Sequence, residues 1–182
     1  GTQHILEGDR DALFVSTHQF PFYPGTGALG EQGLDAGLGS TVNLPLPAGS
    51  GDAEYRLAFE TVTLPVVREF RPELLLVSAG FDAHAADPLA AMNVSTEGFR
   101  WITSALREVA DDCCGGRMVL SLEGGYDLDA LAESVATTVE MLCSDPPPAL
   151  SAPPERPSGA FEVDSFREAH GRYWSSVRAK SS

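Results

Sequence analysis

LLLVSAGFDAHAADP, residues 74–88, carries six apolar or small residues straight into Gly80, Phe81 and the carboxylate of Asp82. A run this short, ended by glycine and lacking strict alternation, reads as a strand buried on both faces of a parallel sheet. ALFVS (12–16) and RMVLSL (117–122) have the same character. TVNLPL (41–46) alternates apolar side chains and adds another strand, with Pro45 and Pro47 pushing it towards an edge. Between these runs lie helical patterns. Leu57, Phe59, Val62, Val66 and Phe70 follow a start signal at Asp52, and Pro65 is expected to kink or divide that helix. Ser95 caps a helix whose apolar face is Phe99, Ile102, Leu106 and Val109. Leu128, Leu131, Val135, Val139 and Leu142 form the apolar stripe of a third helix, ending near Cys143. Strands alternating with helices predict a layered α/β fold, a parallel sheet flanked by helices. Ligands of such sheets bind beyond the carboxyl ends of the strands, so 16–27, 80–93 and 122–127 are expected to converge on one edge.

The 182 residues, 43% hydrophobic and 21% charged, suit a single buried core. A formal charge of −14 argues against a nucleic-acid groove, which needs Lys and Arg against phosphate. No apolar run approaches the roughly 20 residues that span a bilayer, and no signal peptide is evident, so the expectation is a cytoplasmic protein without a membrane segment. Cys113, Cys114 and Cys143 form neither a disulfide framework nor a CxxC pair. Residues 1–144 read as the folded part, 145–160 as a proline-rich linker and 161–182 as a helical extension. In that extension Phe166, His170, Tyr173, Trp174 and Val177 mark one amphipathic helix over 161–180. The chain starts at Gly1, and GTQHI reads as the continuation of something upstream.

Four stretches bear on chemistry. GTGALG (25–30) fits G-x-G-x-x-G, yet no strand leads directly through it into a helix; six glycines within 25–39 instead predict a flexible surface loop. THQFPFYPGTG (17–27) sets His18 and three aromatics just past a strand end, where they either close the sheet edge or wall a substrate channel. In AGFDAHAADPLAAMN (79–93), Gly80 permits a sharp turn that aims Asp82 across the strand ends. A carboxylate there is a hard ligand for zinc at a site that keeps a position for water. The competing reading makes Asp82 and Asp87 loop caps satisfied by backbone N–H groups. In LEGGYDLDA (122–130), Gly124 and Gly125 let Tyr126 project from a tight turn, where its phenol can donate to a developing oxyanion. The competing reading is a surface tyrosine lying over the next helix.

STHQFPFYPGTG, VNLPLPAGSGDAEY, RPELLLVSAGFDAHAADPLAAMN and LEGGYDL, in this order, resemble the zinc-dependent histone deacetylase and acetylpolyamine amidohydrolase superfamily. The LEGGY form with the FDAH loop is more similar to its class II and bacterial branches. The likeness runs from Gly1 to about Cys143. It implies an arginase/deacetylase-like α/β fold and hydrolysis of an acetyl amide, on an acetylated lysine peptide or an acetylpolyamine. In that chemistry a metal polarises the carbonyl and activates water, a histidine takes the proton, and a tyrosine stabilises the oxyanion. By motif matching the resemblance puts Asp82 on a Zn2+ ligand, Tyr126 on the oxyanion tyrosine, Tyr23 and Leu89 on channel walls, and Gly124 beside the pocket. It puts Ser16 and Thr17 where family members hold a structural K+ partly through backbone oxygens.

One departure matters more. The family's other two zinc ligands come from an Asp-x-His stretch directly upstream of the segment that begins here at Gly1, and its paired catalytic histidines lie further upstream. His4, His18, His84 and His170 fall at the wrong places to replace them. Three protein ligands are needed, so this segment alone is expected neither to hold zinc tightly nor to hydrolyse amides. It is also expected to leave a sheet edge and apolar surface uncovered. The rival reading is a non-catalytic remnant serving as a binding or assembly module; an Asp-x-His stretch upstream favours the enzyme.

Overall fold

The structure is a computed structural model that describes residues 1–150 and 163–178. Its contacts divide the chain into two compact units. The first comprises 1–47, 57–70 and the C-terminal segment; the second comprises 48–56 and the residues from 71 onward that precede that segment.

In the first unit a short helix, α1 (Thr2–Leu6), leads into β1 (Phe14–Gln19), which runs parallel to β2 (Thr41–Leu46) with Phe14 opposite Thr41 and Gln19 opposite Leu46. β1 extends three residues beyond the apolar run, so Ser16, Thr17 and His18 lie inside the strand and not past its end. The amide of Phe14 donates to the Ser40 carbonyl and that of Phe20 to the Leu46 carbonyl. This phase turns the backbone of even-numbered residues in both strands towards the ladder. Pro45 sits at an odd position, so its missing N–H falls on the side away from β1 and costs no ladder bond. Val42, Leu44 and Leu46 are nevertheless fully buried.

The helical stretch 52–70 is divided as expected, through a π-helical turn. α2 (Asp52–Ala58) passes into a π segment (Phe59–Thr63) and then α3 (Leu64–Phe70). Pro65 has no N–H for the turn before it, and the widened turn takes up that mismatch.

In the second unit β3 (Leu75–Ala79) pairs in parallel with β4 (Met118–Leu122), Leu76 opposite Val119 and Ala79 opposite Leu122. Between them runs α4 (Thr96–Cys114). The Ser95 hydroxyl accepts from the Gly98 amide at 3.1 Å, and Gly115 ends the helix in the left-handed conformation (φ 60°). Of the predicted apolar face, Phe99, Leu106 and Val109 are buried and Ile102 is half-buried. After β4, Asp127 caps α5 (Leu128–Cys143) by accepting the Ala130 amide at 2.8 Å.

Four expectations change. The single sheet is realised as two parallel pairs, β1–β2 and β3–β4, with no ladder joining them among the described residues. The apolar stripe of α5 is not its buried face: Leu128 is 78% exposed, while Ala130, Ser134, Thr137, Thr138 and Met141 are buried. All of these but Met141 are small, which lets α4 and α5 approach closely. The helix expected over 161–180 is α6 (Val163–His170) followed by a turn and a 3-10 segment, Ser175–Val177. The Gly171 amide still donates to the Arg167 carbonyl at 2.8 Å, and the amides of Tyr173 and Trp174 then both turn to the His170 carbonyl at 3.0 Å, which closes the helix. Residues 151–162 and 179–182, which hold most of the expected linker and both ends of the extension, lie outside the described residues. Finally, the glycine-rich loop is held in place. Glu31 accepts from the amides of Gly27 (3.0 Å) and Ala28 (3.1 Å) and from Gln3, and the Gly27 carbonyl meets His18 Nε2 at 3.0 Å.

Candidate catalytic site at the ends of β3 and β4

Parallel strands deliver their following segments to the same edge, and here those segments stay joined. The Glu123 amide donates to the Ala79 carbonyl at 3.0 Å, and the Phe81 amide donates to the Gly124 carbonyl at 2.8 Å. These two bonds carry the β3–β4 ladder beyond the strands. Asp82 follows at once, and its carboxylate lies on bare backbone. A Cβ at Gly124 would come within 2.7 Å of Asp82 Oδ2, and one at Gly80 within 3.1 Å of Oδ1. Loss of water around this half-buried group pushes its pKa up. The negative charge of Asp87 adds to the rise, while the amides of Asp82 and Ala83 oppose it. A carboxylate so placed is stabilised by any cation brought to it. Tyr55, buried on α2, lies close enough to feel that charge: burial first, and Asp82 second, push its phenol pKa up.

Tyr126 leaves the same edge from β4. Gly125 takes a φ of 138°, and a Cβ there would also meet Leu131 Cδ1 at 2.8 Å, so the turn requires glycine twice over. Tyr126 is 56% exposed, and its amide donates to Asp87 Oδ2 at 2.8 Å. The other oxygen of Asp87 accepts the amides of Leu89 (2.9 Å) and Ala90 (3.3 Å). Asp87 therefore does cap its loop, as one sequence reading held, but it also reaches the β4 turn. Asp82, Gly124, Leu89 and Tyr126 all belong to the second unit and are tied together through these contacts.

The remaining candidates sit elsewhere. Tyr23 belongs to the first unit and is 91% exposed. Ser16 and Thr17 are in β1; the Ser16 hydroxyl pairs with His18 Nδ1 at 2.9 Å. His18 makes the core hydrogen bonds of an ordinary packed histidine. Burial pushes its pKa down despite the bonds to Gly27 and Ser16. His84 Nδ1 accepts from the Ala86 amide at 3.1 Å and its Nε2 meets Thr96 Oγ1 at 3.3 Å, with the ring stacked on Phe99. His4 pairs with Glu7 at the surface, and buried His170 donates from Nε2 to the Asn43 carbonyl.

Zinc tests this arrangement. Asp82 offers a hard oxygen donor with a raised pKa, on glycines that leave its oxygens free of side-chain cover, which fits a ligand of that ion. Among the described residues no group of three or more His, Cys, Asp or Glu side chains could hold a metal. Asp82 therefore offers one suitable donor and not a complete metal site. Among the described residues, too, no helix is long and apolar enough to cross a membrane.

Sequence and structure comparisons agree with the geometry. The family model described as "Histone deacetylase domain" matches residues 1–142. "Histone deacetylase 10, chloroplastic" of Oryza sativa subsp. japonica is 46% identical over 162 residues, 89% of this chain and 36% of the relative. "Polyamine deacetylase HDAC10" of Homo sapiens is 42% identical over 188 residues, covering 98% of this chain and 27% of the relative. The crystal structure of the HDA15 HD domain superposes with a TM-score of 0.83 at 33% identity, over 97% of this chain and 48% of that one. For the structure of the histone deacetylase Clr3 the TM-score is 0.88 at 34% identity, over 99% and 31%. The chain spans about a third of the length of the first curated relatives it matches. Parallel strands flanked by helices, with the two motif-bearing turns stitched at one edge, are thus an incomplete form of the arginase/deacetylase-like α/β fold, and the chain belongs to the histone deacetylase family.

Proposed function

We propose that this segment supplies one zinc ligand, Asp82, and the oxyanion donor, Tyr126, to a hydrolase of acetyl amides on lysine side chains or polyamines. The observation that carries the reading is the Asp82 carboxylate on the bare backbone of Gly80 and Gly124, at an edge stitched directly to the Tyr126 turn. Zinc, when bound, supplies Lewis-acid polarisation of an amide carbonyl and acidification of water. Asp82 contributes negative charge and one oxygen donor. Tyr126, on a glycine-hinged turn, presents a phenol O–H able to donate to charge developing on the acetyl oxygen. Leu89, 60% exposed beside Asp87, offers an apolar wall to an aliphatic amine chain; Tyr23 fills the same role in our reading. Thr17 occupies an odd position of β1, so its carbonyl points away from β2, the direction in which it would join Ser16 in holding a structural potassium ion. Cys113, Cys114 and Cys143, none of them joined in a disulfide, support a reducing compartment, the cytoplasm in our reading.

The test compares this chain with a longer one that carries it within a complete deacetylase domain. The longer protein is expected to bind one zinc and hydrolyse an acetyl-lysine peptide or an acetylpolyamine; the 182-residue chain is expected to do neither. Asp82→Ala in the longer protein should abolish stoichiometric zinc. Tyr126→Phe should lower kcat about 10²–10³-fold with little change in substrate binding. Zinc retained by Asp82→Ala, or equal activity in both chains, refutes the reading.

A further inference from the structure

Among the described residues, Asp87 is the one carboxylate of the second unit that is buried without taking part in the proposed chemistry, and its bonds divide unevenly. Oδ1 serves the local turn, accepting from Leu89 at 2.9 Å and Ala90 at 3.3 Å. A turn-capping aspartate needs no more than that. Oδ2 instead accepts the amide of Tyr126, 39 residues away, at 2.8 Å. The residues held from the two oxygens are the proposed channel wall and the proposed oxyanion donor. Gly125 gives the Tyr126 turn its freedom, sitting at a φ of 138° that few turns share. A turn hinged on glycine does not by itself fix the direction of the tyrosine that follows it. The bond from Asp87 to the Tyr126 amide removes that freedom at the residue carrying the phenol.

We infer that Asp87 is a positioning residue for the deacetylation step. It locks the backbone of Tyr126 to the Leu89 loop, so that the phenol is aimed before substrate arrives. This rests on the reading of Tyr126 as the oxyanion donor. Misplacement of a reacting group by about 1 Å costs on the order of a hundredfold in rate, which sets the scale of the expected effect.

Asp87→Asn separates the two halves of the contact. The amide oxygen can still accept from Leu89 and Ala90, whereas the amide nitrogen meets the Tyr126 N–H as donor against donor. In the complete deacetylase domain carrying this chain, Asp87→Asn is expected to lower kcat about 10–100-fold on an acetyl-lysine peptide with KM little changed. Combined with Tyr126→Phe it should be no slower than Tyr126→Phe alone, since no phenol remains to be aimed. The Tyr126 amide should exchange with solvent faster in Asp87→Asn, a readout independent of zinc and turnover. If Tyr126→Phe leaves kcat unchanged, the reading of the phenol fails and the inference falls with it. If Tyr126→Phe slows turnover but Asp87→Asn does not, or the two losses multiply, only the present inference is overturned. Should Asp87→Asn fail to fold, the unsubstituted protein decides. A scalar coupling across the hydrogen bond between Tyr126 15N and Asp87 13Cγ supports the anchor, and its absence together with an unprotected Tyr126 amide overturns it.

Discussion

Gly124 constrains the site through space and not through backbone freedom. Its φ lies outside the left-handed region, yet the Cβ of any other residue would lie 2.7 Å from Asp82 Oδ2 and 2.9 Å from its Cγ. Gly124→Ala should therefore push the carboxylate off its seat. In a complete domain, zinc affinity should fall at least about tenfold while folding loses about 1–3 kcal/mol by overpacking. A zinc-competition titration beside a urea melt checks both numbers, and unchanged affinity would show that the seat does not position a ligand. Gly125→Ala should cost more in folding, because it adds a strained φ of 138° to a clash with Leu131. Both glycines were legible in the sequence as turn formers beside a tyrosine. Asp87 was legible only as a local cap: Asp-Pro-Leu signals a turn two residues on, whereas the bond to Tyr126 spans 39 residues and leaves no trace in spacing. The position of Asp82 followed from the strand before it, since an apolar run ended by glycine fixes where the chain leaves the sheet.

At the level of the element, α5 shows how a correct period can name the wrong face. Leu128, Leu131, Val135, Val139 and Leu142 recur at helical spacing and do lie on a helix, but the buried face is Ala130, Ser134, Thr137, Thr138 and Met141. Hydropathy weighs leucine above alanine or serine, while the α4–α5 contact selects for small volume. Polar contacts reinforce that choice: Arg100 donates to Thr137 Oγ1 at 3.3 Å, and Arg107 donates to the Met141 and Ser144 carbonyls at 2.8 and 2.7 Å. Ser134 is fully buried and its hydroxyl finds no partner among the described residues. Ser134→Ala should therefore be neutral or stabilising, since it removes an unsatisfied polar atom. Ser134→Leu should cost about 1–3 kcal/mol by forcing the helices apart. Urea midpoints at constant m-value decide between them. Destabilisation by Ser134→Ala would mean that its hydroxyl is used after all.

Over the whole molecule, strand existence was readable but strand partnership was not. Nothing in residues 12–16 or 74–79 says that one pairs with 41–46 and the other with 117–122, because pairing is decided by contacts far apart in sequence. The pairs also leave apolar surface open, as Leu76 at 70% exposure and its register partner Val119 at 55% show. Titration behaviour is likewise a product of the fold. Burial pushes the pKa of both His18 and His170 below 6.5, the hydrogen bonds to Gly27 and Asn43 notwithstanding. The native state then binds fewer protons than the unfolded chain between the folded pKa values and about 6.5. Stability must rise with pH across that window and level off above it. Glu31 adds the same sign at lower pH: burial raises its pKa, but the bonds from Gly27, Gln3 and Ala28 outweigh this and leave it lowered. Its stabilisation is present above 4.5, its ordinary value, and is lost as pH falls through the folded pKa. Asp82 opposes this, since its raised pKa favours the native state on acidification above 3.8. His170→Gln keeps a donor towards the Asn43 carbonyl and removes the titration. Its Tm should fall less than that of the unsubstituted chain between about pH 7 and about pH 5, at fixed ionic strength. Parallel Tm-against-pH curves for the two proteins would show that His170 is not titrating from a buried, neutral state.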